Sequence, residues 1–254
     1  RKRIQYFETN RTLPKKNGNN RSHGQNTMNW IDYWSDPKFF DAFYRKSIEY
    51  YCEHLKKLFP FNRDCDVLDF GSGPGLTAEF LSDKVNRLHL VEPSKILLEQ
   101  SQAINKDRKN VFHFLLQDKK KFEDYLSKNK FNLIIMNSVL QYIPESEISQ
   151  LFKIFKIGLK DTGQIIVSDI ISSNSGLKKD LLSIMNFYLK WSNALAFSQY
   201  FISELWKTRL RAKLKRGVYT RNDIEKILKG HYCLQWIPNP TICPHRHCVI
   251  LAKI

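Results

Sequence analysis

The chain has 254 residues, with 41 Lys+Arg against 25 Asp+Glu, a formal net charge of +16, and 42% hydrophobic residues. That balance excludes wholesale disorder, a collagen-like rod and a coiled coil, and it suits one large α/β domain or one domain with an appendage. The absence of any run of about 18 uncharged apolar residues excludes a membrane-spanning helix, and five cysteines without framework spacing favour a reducing, cytoplasmic setting over a disulfide scaffold.

Residues 1–27 open on Arg1 rather than Met, which leaves a removed targeting segment open, and they read as a basic, mobile tail. The charge is unevenly placed. Residues 1–30 carry a net +6 and residues 205–229 a net +7, leaving +3 for the rest. A nucleic-acid groove would spread its charge more widely, so a solvated tail and a solvated helix face are the plainer reading.

Residues 28–60 form an aromatic helical segment with Trp30, Tyr33, Trp34, Phe39, Phe40, Phe43 and Tyr44. Asp36-Pro37 predicts a helix start, and Phe40, Phe43, Tyr44, Ile48, Tyr51, Leu55 and Leu58 keep helical spacing up to Pro60. From residue 61 to residue 254 a different rhythm holds. Strand-like runs at Val67–Phe70, Leu88–Glu92, Val111–Leu116, Leu133–Met136 and Ile165–Ser168 alternate with helical stretches at Leu76–Ser82, Lys95–Ala103 and Glu147–Leu159. This predicts βαβ units and a parallel sheet, with ligands at the carboxyl ends of the strands. Residues 171–217 interrupt the rhythm with a helical insertion that is apolar around most of its circumference. A helix at Arg221–Leu228 follows, then an antiparallel pair, Cys233–Ile237 and Arg246–Lys253, joined through Pro238-Asn239-Pro240.

The most informative stretch is Val67-Leu68-Asp69-Phe70-Gly71-Ser72-Gly73-Pro74-Gly75-Leu76-Thr77. An apolar strand ends on an acid, and three alternating glycines precede a helix. The glycines let the backbone turn sharply and approach a ligand, and the helix start offers free N–H groups. The dinucleotide fingerprint fails because its third glycine would fall at Leu76, and the phosphate-loop pattern is absent. The stretch resembles motif I of class I S-adenosylmethionine-dependent methyltransferases, an acid followed by G-x-G-x-G. Four further stretches extend the likeness: Leu88 to Glu92 with Pro93, Phe114 to Asp118, Phe131 to Pro144, and Gly163 to Asp169. The chain looks closest to the small-molecule, type 11/12-like branch.

The resemblance implies an α/β, doubly wound, Rossmann-like fold: a seven-stranded, mostly parallel sheet with an antiparallel last strand and a helical lid insertion. It implies S-adenosylmethionine as cofactor, with Asp69, Gly71, Ser72, Gly73, Gly75, Glu92, Pro93, Asp118 and Asn137 around it. Glu92 would meet the ribose hydroxyls and Asp118 the adenine amino group. The expected partner is a small molecule, apolar or aromatic, methylated at oxygen or nitrogen, with Gln141, Tyr142, Trp191 and Phe197 as candidate contacts.

A sulfonium methyl is already activated, so alignment and exclusion of water carry much of the rate. No base is identified; Asp169, Tyr142 and His245 are the candidates. The stretch Asn137-Ser138-Val139-Leu140 lacks the motif of base-amino methylation, and no cysteine stands at the fourth or fifth strand tip for a covalent route. Cys243, His245 and His247 alternate along one strand face, but their spacing matches no common structural zinc site, and no metal is expected. Two other readings compete: an RNA or protein methyltransferase recruited through its basic segments, and a cofactor-binding regulatory domain without turnover. The apolar insertion needs cover from the domain itself, from a second copy of the chain, or from an apolar acceptor, so both monomer and homodimer fit.

Overall fold

The computed structural model describes residues 30–34, 40–172, 175–191 and 216–254. Seven strands form one sheet: β1 (Asp66–Phe70), β2 (Arg87–Glu92), β3 (Val111–Leu115), β4 (Phe131–Asn137), β5 (Leu159–Ile170), β6 (Tyr232–Pro238) and β7 (His247–Lys253). Their order is β3-β2-β1-β4-β5-β7-β6. The first five run parallel, and β7 lies antiparallel to both β5 and β6. All five residues of β1 are buried, as expected for a central parallel strand covered on both faces.

The period of two along each strand divides the core. Leu133 and Ile135 of β4 join one apolar cluster, with Val67, Leu88 and Ile166. Ile134 and Met136 join the other, with Leu68, Phe70 and Ile165. The first cluster is completed by helices α2 (Ala42–Leu58) and α3 (Thr77–Leu81), through Ile48, Tyr51, Leu55, Ala78 and Leu81. Beyond the short α1 (Trp30–Trp34) and α4 (Lys95–Ile104), the second cluster draws on α5 (Lys119–Lys128) and α6 (Glu145–Gly158), through Phe122, Leu126, Phe152 and Phe155. From the start of β1 the chain runs outward through β2 and β3, then returns to β4 on the other side of β1. That reversal opens a crevice outside the carboxyl ends of β1 and β4.

Several boundaries differ from the sequence reading: β5, read as Ile165–Ser168, begins six residues earlier at Leu159, and β7 starts at His247 and not at Arg246. Asp36-Pro37 lies outside the described residues, and α2 starts at Ala42, because Asp41 caps it by accepting the N–H groups of Phe43 and Tyr44 at 3.1 and 3.0 Å. β3 stops at Leu115, so Asp118 stands beyond the strand and not at its tip. Of the insertion, α7 (Leu177–Trp191) is described; it buries Ile184, Phe187 and Tyr188, while Leu182 and Leu189 are exposed. Residues 192–215, which hold Phe197, lie outside the described residues, as does the tail at 1–27. Helix α8 (Arg221–Leu228) begins with a capping box between Thr220 and Asp223 and packs on the second cluster. Among the described residues no helix is long and apolar enough to cross a membrane.

Candidate active site

The turn after β1 is held in a left-handed conformation, with φ of +75° at Gly71 and +56° at Gly73. A Cβ on Gly71 would stand 2.5 Å from Val139 Cγ2, so that position admits glycine alone without rearrangement. Gly73 differs: a Cβ there would meet only the Tyr44 hydroxyl at 3.6 Å and Phe40 at 4.0 Å, because this residue faces open space. That space is a cavity of about 210 Å³ at the carboxyl ends of β1, β2, β4 and β5.

Two buried acids sit beside the turn. Asp69 accepts the Thr77 hydroxyl at 2.6 Å, and burial pushes its carboxyl up to about 6. Glu92 accepts the Gly73 N–H and the Ser94 N–H, each at 2.9 Å. Burial raises its carboxyl to about 7, against the pull of those two donors. Asn137 Oδ1, on the cavity wall, is buried and finds no hydrogen-bond partner among the described residues, and neither do Ser72 Oγ and Gln141 Oε1, which do not line the cavity. Buried polar atoms are rarely left unpaired, so the Asn137 oxygen suits a ligand that brings its own donor.

The tips of β4 and β5 are strained. Ser138 and Asp169 have φ of +58° and +64°, a conformation that costs about 1–3 kcal/mol per residue unless its surroundings hold it. A hydrogen-bond network does so here. The Asp169 carboxylate accepts from Ser138 Oγ at 2.5 Å, Arg246 Nη1 at 2.6 Å and Thr241 Oγ1 at 3.0 Å, and its N–H donates to Asn239 Oδ1 at 3.0 Å. Arg246 turns its other edge to Asp180 of α7, at 3.2 and 2.7 Å. Burial opposes charge on this guanidinium, but Asp169 and Asp180 outweigh it and keep it protonated. The same pairing holds the Asp180 carboxyl below its ordinary value despite burial.

Aromatic rings close the cavity. Trp30 stacks on Tyr142 at 5.6 Å and 22°, Trp34 meets Tyr142 edge-on at 6.3 Å, and Phe40 meets Tyr44 edge-on at 5.0 Å. Phe43 of α2 stacks face to face on Tyr188 of α7 at 3.9 Å, which joins the two helices above the site.

Of the residues singled out from the sequence, Gly71, Gly73, Glu92, Pro93, Asn137, Tyr142 and Asp169 line this cavity. Asp69, Ser72 and Gln141 are buried without lining it, and Gly75 packs against Ser101. Asp118 is exposed, does not line the cavity, and accepts the Lys121 N–H at 2.9 Å as the N-cap of α5. His245 bonds to Asp180 at 2.8 Å and does not line the cavity. His247 instead starts β7, edge-on to Trp236. Trp191 closes α7, and Phe197 lies outside the described residues. The sequence reading missed Ser138, Thr241 and Arg246 as site residues. An apolar strand ending on Ser-Asp, with an arginine just before a terminal strand, was the available signal.

Residues 42–229 match the family model described as a methyltransferase domain. No curated protein matches the chain. Among solved structures, the chain is similar to the PH0226 protein of Pyrococcus horikoshii, at 14% identity and a TM-score of 0.58, over 88% of this chain and 98% of that one. It is also similar to the complex of DhpI with S-adenosylhomocysteine, at 12% identity and a TM-score of 0.56, over 91% and 97%. Phosphoethanolamine N-methyltransferase 1 of Haemonchus contortus, solved with phosphoethanolamine and S-adenosylhomocysteine, matches at 12% identity and a TM-score of 0.59. That match covers 89% of this chain but 47% of the Haemonchus enzyme, so the chain spans about half its length. At these identities the likeness concerns the fold.

Proposed function

The chain belongs to the class I S-adenosylmethionine-dependent methyltransferases, and on that premise we propose that it methylates an oxygen or nitrogen of a small-molecule acceptor. The observation that carries this reading is one cavity with two unlike ends. At one end, an open glycine turn meets a buried carboxylate and an unpaired amide oxygen. At the other, aromatic and aliphatic side chains surround the ion-paired strand tips.

The first end fits S-adenosylmethionine. Gly71 and Gly73 would let it approach the backbone, Glu92 would accept its ribose hydroxyls, and Asn137 Oδ1 would accept a further donor. When bound, S-adenosylmethionine supplies a methyl group on a positively charged sulfur that leaves as a neutral thioether. The protein's own contribution is then placement and dryness. Trp30, Trp34, Phe40, Tyr44 and Tyr142 exclude water above the turn, and Ser138 and Asp169 fix the floor beside it. Asp169 already accepts hydrogen bonds from Ser138, Arg246 and Thr241, so it acts here as a positioning residue and not as a proton acceptor. All five cysteines are free thiols, which supports a cytoplasmic setting.

Calorimetry with S-adenosylmethionine and S-adenosylhomocysteine tests the first half of the reading. Transfer of labelled methyl over a panel of alcohols, phenols and amines tests the second. No heat at millimolar ligand removes the proposal; binding without transfer to any member of the panel favours a regulatory domain instead.

A further inference from the structure

The acceptor end of the cavity has a charge signature of its own. Arg246 is the one cationic side chain lining the cavity among the described residues. It is paired to Asp169 at 2.6 Å and to Asp180 at 2.7 Å, and the side chains of Arg246, Asp169 and Asp180 are 9%, 8% and 16% exposed. Two carboxylates flank one guanidinium, and His245 Nε2 also bonds to Asp180 at 2.8 Å, so Arg246 has no positive charge to spare. The hydroxyls of Ser138 and Thr241 also donate to Asp169, so the floor is organised around a carboxylate. The nearby walls, Phe43, Ile48, Ile184 and Ile242, are apolar.

We propose that this end of the cavity accepts an apolar, ring-sized alcohol, phenol or amine and excludes acceptors bearing a carboxylate or phosphate. Asp180, which does not itself line the cavity, sets this choice by pairing the Arg246 charge that an anion would otherwise meet. The inference rests on the methyl-transfer reading and deepens it.

The physical argument concerns unpaired charge. An anionic head entering here loses its water, meets a carboxylate, and finds a guanidinium already shared between two partners. A neutral hydroxyl has little to lose on the same path. An ammonium gains from the Asp169 carboxylate that lines this end. Arg246 makes three of its N–H bonds to the two aspartates, two of them to Asp180. Asparagine at position 180 keeps one acceptor for that edge but removes one of the two charges that compensate the guanidinium, so an entering carboxylate meets a less compensated positive charge.

The test uses three probes with one body and different heads: para-cresol, para-methylbenzylamine and para-methylbenzoate. Each is titrated calorimetrically into the full chain saturated with S-adenosylhomocysteine. Cresol and the amine are expected to bind about tenfold or more tightly than the benzoate, a difference of about 1.4 kcal/mol. In Asp180→Asn the benzoate is expected to gain about tenfold relative to cresol. A merely structural role for Asp180 would weaken all three probes together and leave their ranking intact. If the variant does not fold, the ranking in the unaltered protein decides alone. The proposal is overturned if benzoate binds the unaltered protein as well as cresol, if a folded Asp180→Asn keeps the original ranking, or if none of the probes binds. If S-adenosylhomocysteine itself fails to bind, the methyl-transfer reading falls first and takes this inference with it.

Discussion

Replacing Glu92 with glutamine separates the two tasks this carboxylate performs. In the folded chain it accepts the N–H groups of Gly73 and Ser94, and burial lifts it to about 7. An unfolded glutamate titrates near ~4.3, so keeping it ionised in this site costs roughly 4 kcal/mol. The sign follows from the raised value. Below about pH 4 both states are protonated and there is no cost; the cost accumulates as pH rises from about 4 to 7 and is constant above. Glutamine carries no such cost, but its amide nitrogen must face one of the two N–H donors, which costs about 1–3 kcal/mol. Glu92→Gln should therefore melt below the unaltered protein at pH 5 and overtake it by pH 8. Binding responds in the opposite sense. If ligand hydroxyls donate to the ionised carboxylate, only about a tenth of the protein is competent at pH 6, and affinity for S-adenosylhomocysteine rises about tenfold by pH 8. The variant should bind about 10–100-fold more weakly at pH 8, having lost a charged acceptor. Its pH slope should also be nearly flat, with Asp69, at about 6, leaving only about a twofold remainder. Calorimetry at the two pH values reads both quantities. Wild-type affinity in the variant, or a tenfold slope that survives the substitution, refutes the role assigned to Glu92.

The sheet was legible because its central strands are short, apolar and evenly spaced, and a parallel strand covered on both faces leaves such a run. The turn at Gly71 was legible for a related reason: positive φ and the crowding of Val139 leave few residues to choose from. Helix α5 was not picked out. Its apolar positions Phe122, Tyr125 and Leu126 are correctly spaced, but four lysines dilute the signal in a ten-residue helix. The floor of the site was hidden for a deeper reason. Asp169, Asp180 and Arg246 come from β5, α7 and the approach to β7, up to 77 residues apart, and no local pattern announces that they will share one network. The aromatic residues before α2 were visible as a composition, yet their use as a roof depends on where Tyr142 stands, and that is set by the sheet.

Three further substitutions probe the same frame. Gly71→Ala must pay about 1–2 kcal/mol for its left-handed backbone and more for overlap with Val139; in urea denaturation, adding Val139→Ala should relieve the overlap and leave the backbone cost. Arg246→Met leaves the buried Asp169 and the half-buried Asp180 without their guanidinium and should lower stability by about 3–5 kcal/mol, on the order of 10 °C in melting temperature. Because Asp180 is held below its ordinary value, its share of that loss should be full at neutral pH and shrink as acid protonates Asp180 below about pH 4. Asp118 gives the sharpest contest between sequence and structure. The resemblance assigns it to the adenine amino group, whereas the structure shows an exposed N-cap whose carboxylate accepts the Lys121 N–H. Asparagine caps about as well as aspartate and alanine does not, so a cap alone predicts no change in Asp118→Asn and a loss of about 1 kcal/mol in Asp118→Ala. A pure cap also predicts that both variants bind S-adenosylhomocysteine as the unaltered protein does, at a temperature where all are folded. A ligand contact predicts weaker binding in both, with alanine the weaker because it keeps no acceptor at all. Chemical denaturation and calorimetry on the same two proteins therefore decide whether the carboxylate leaves its cap to meet the cofactor.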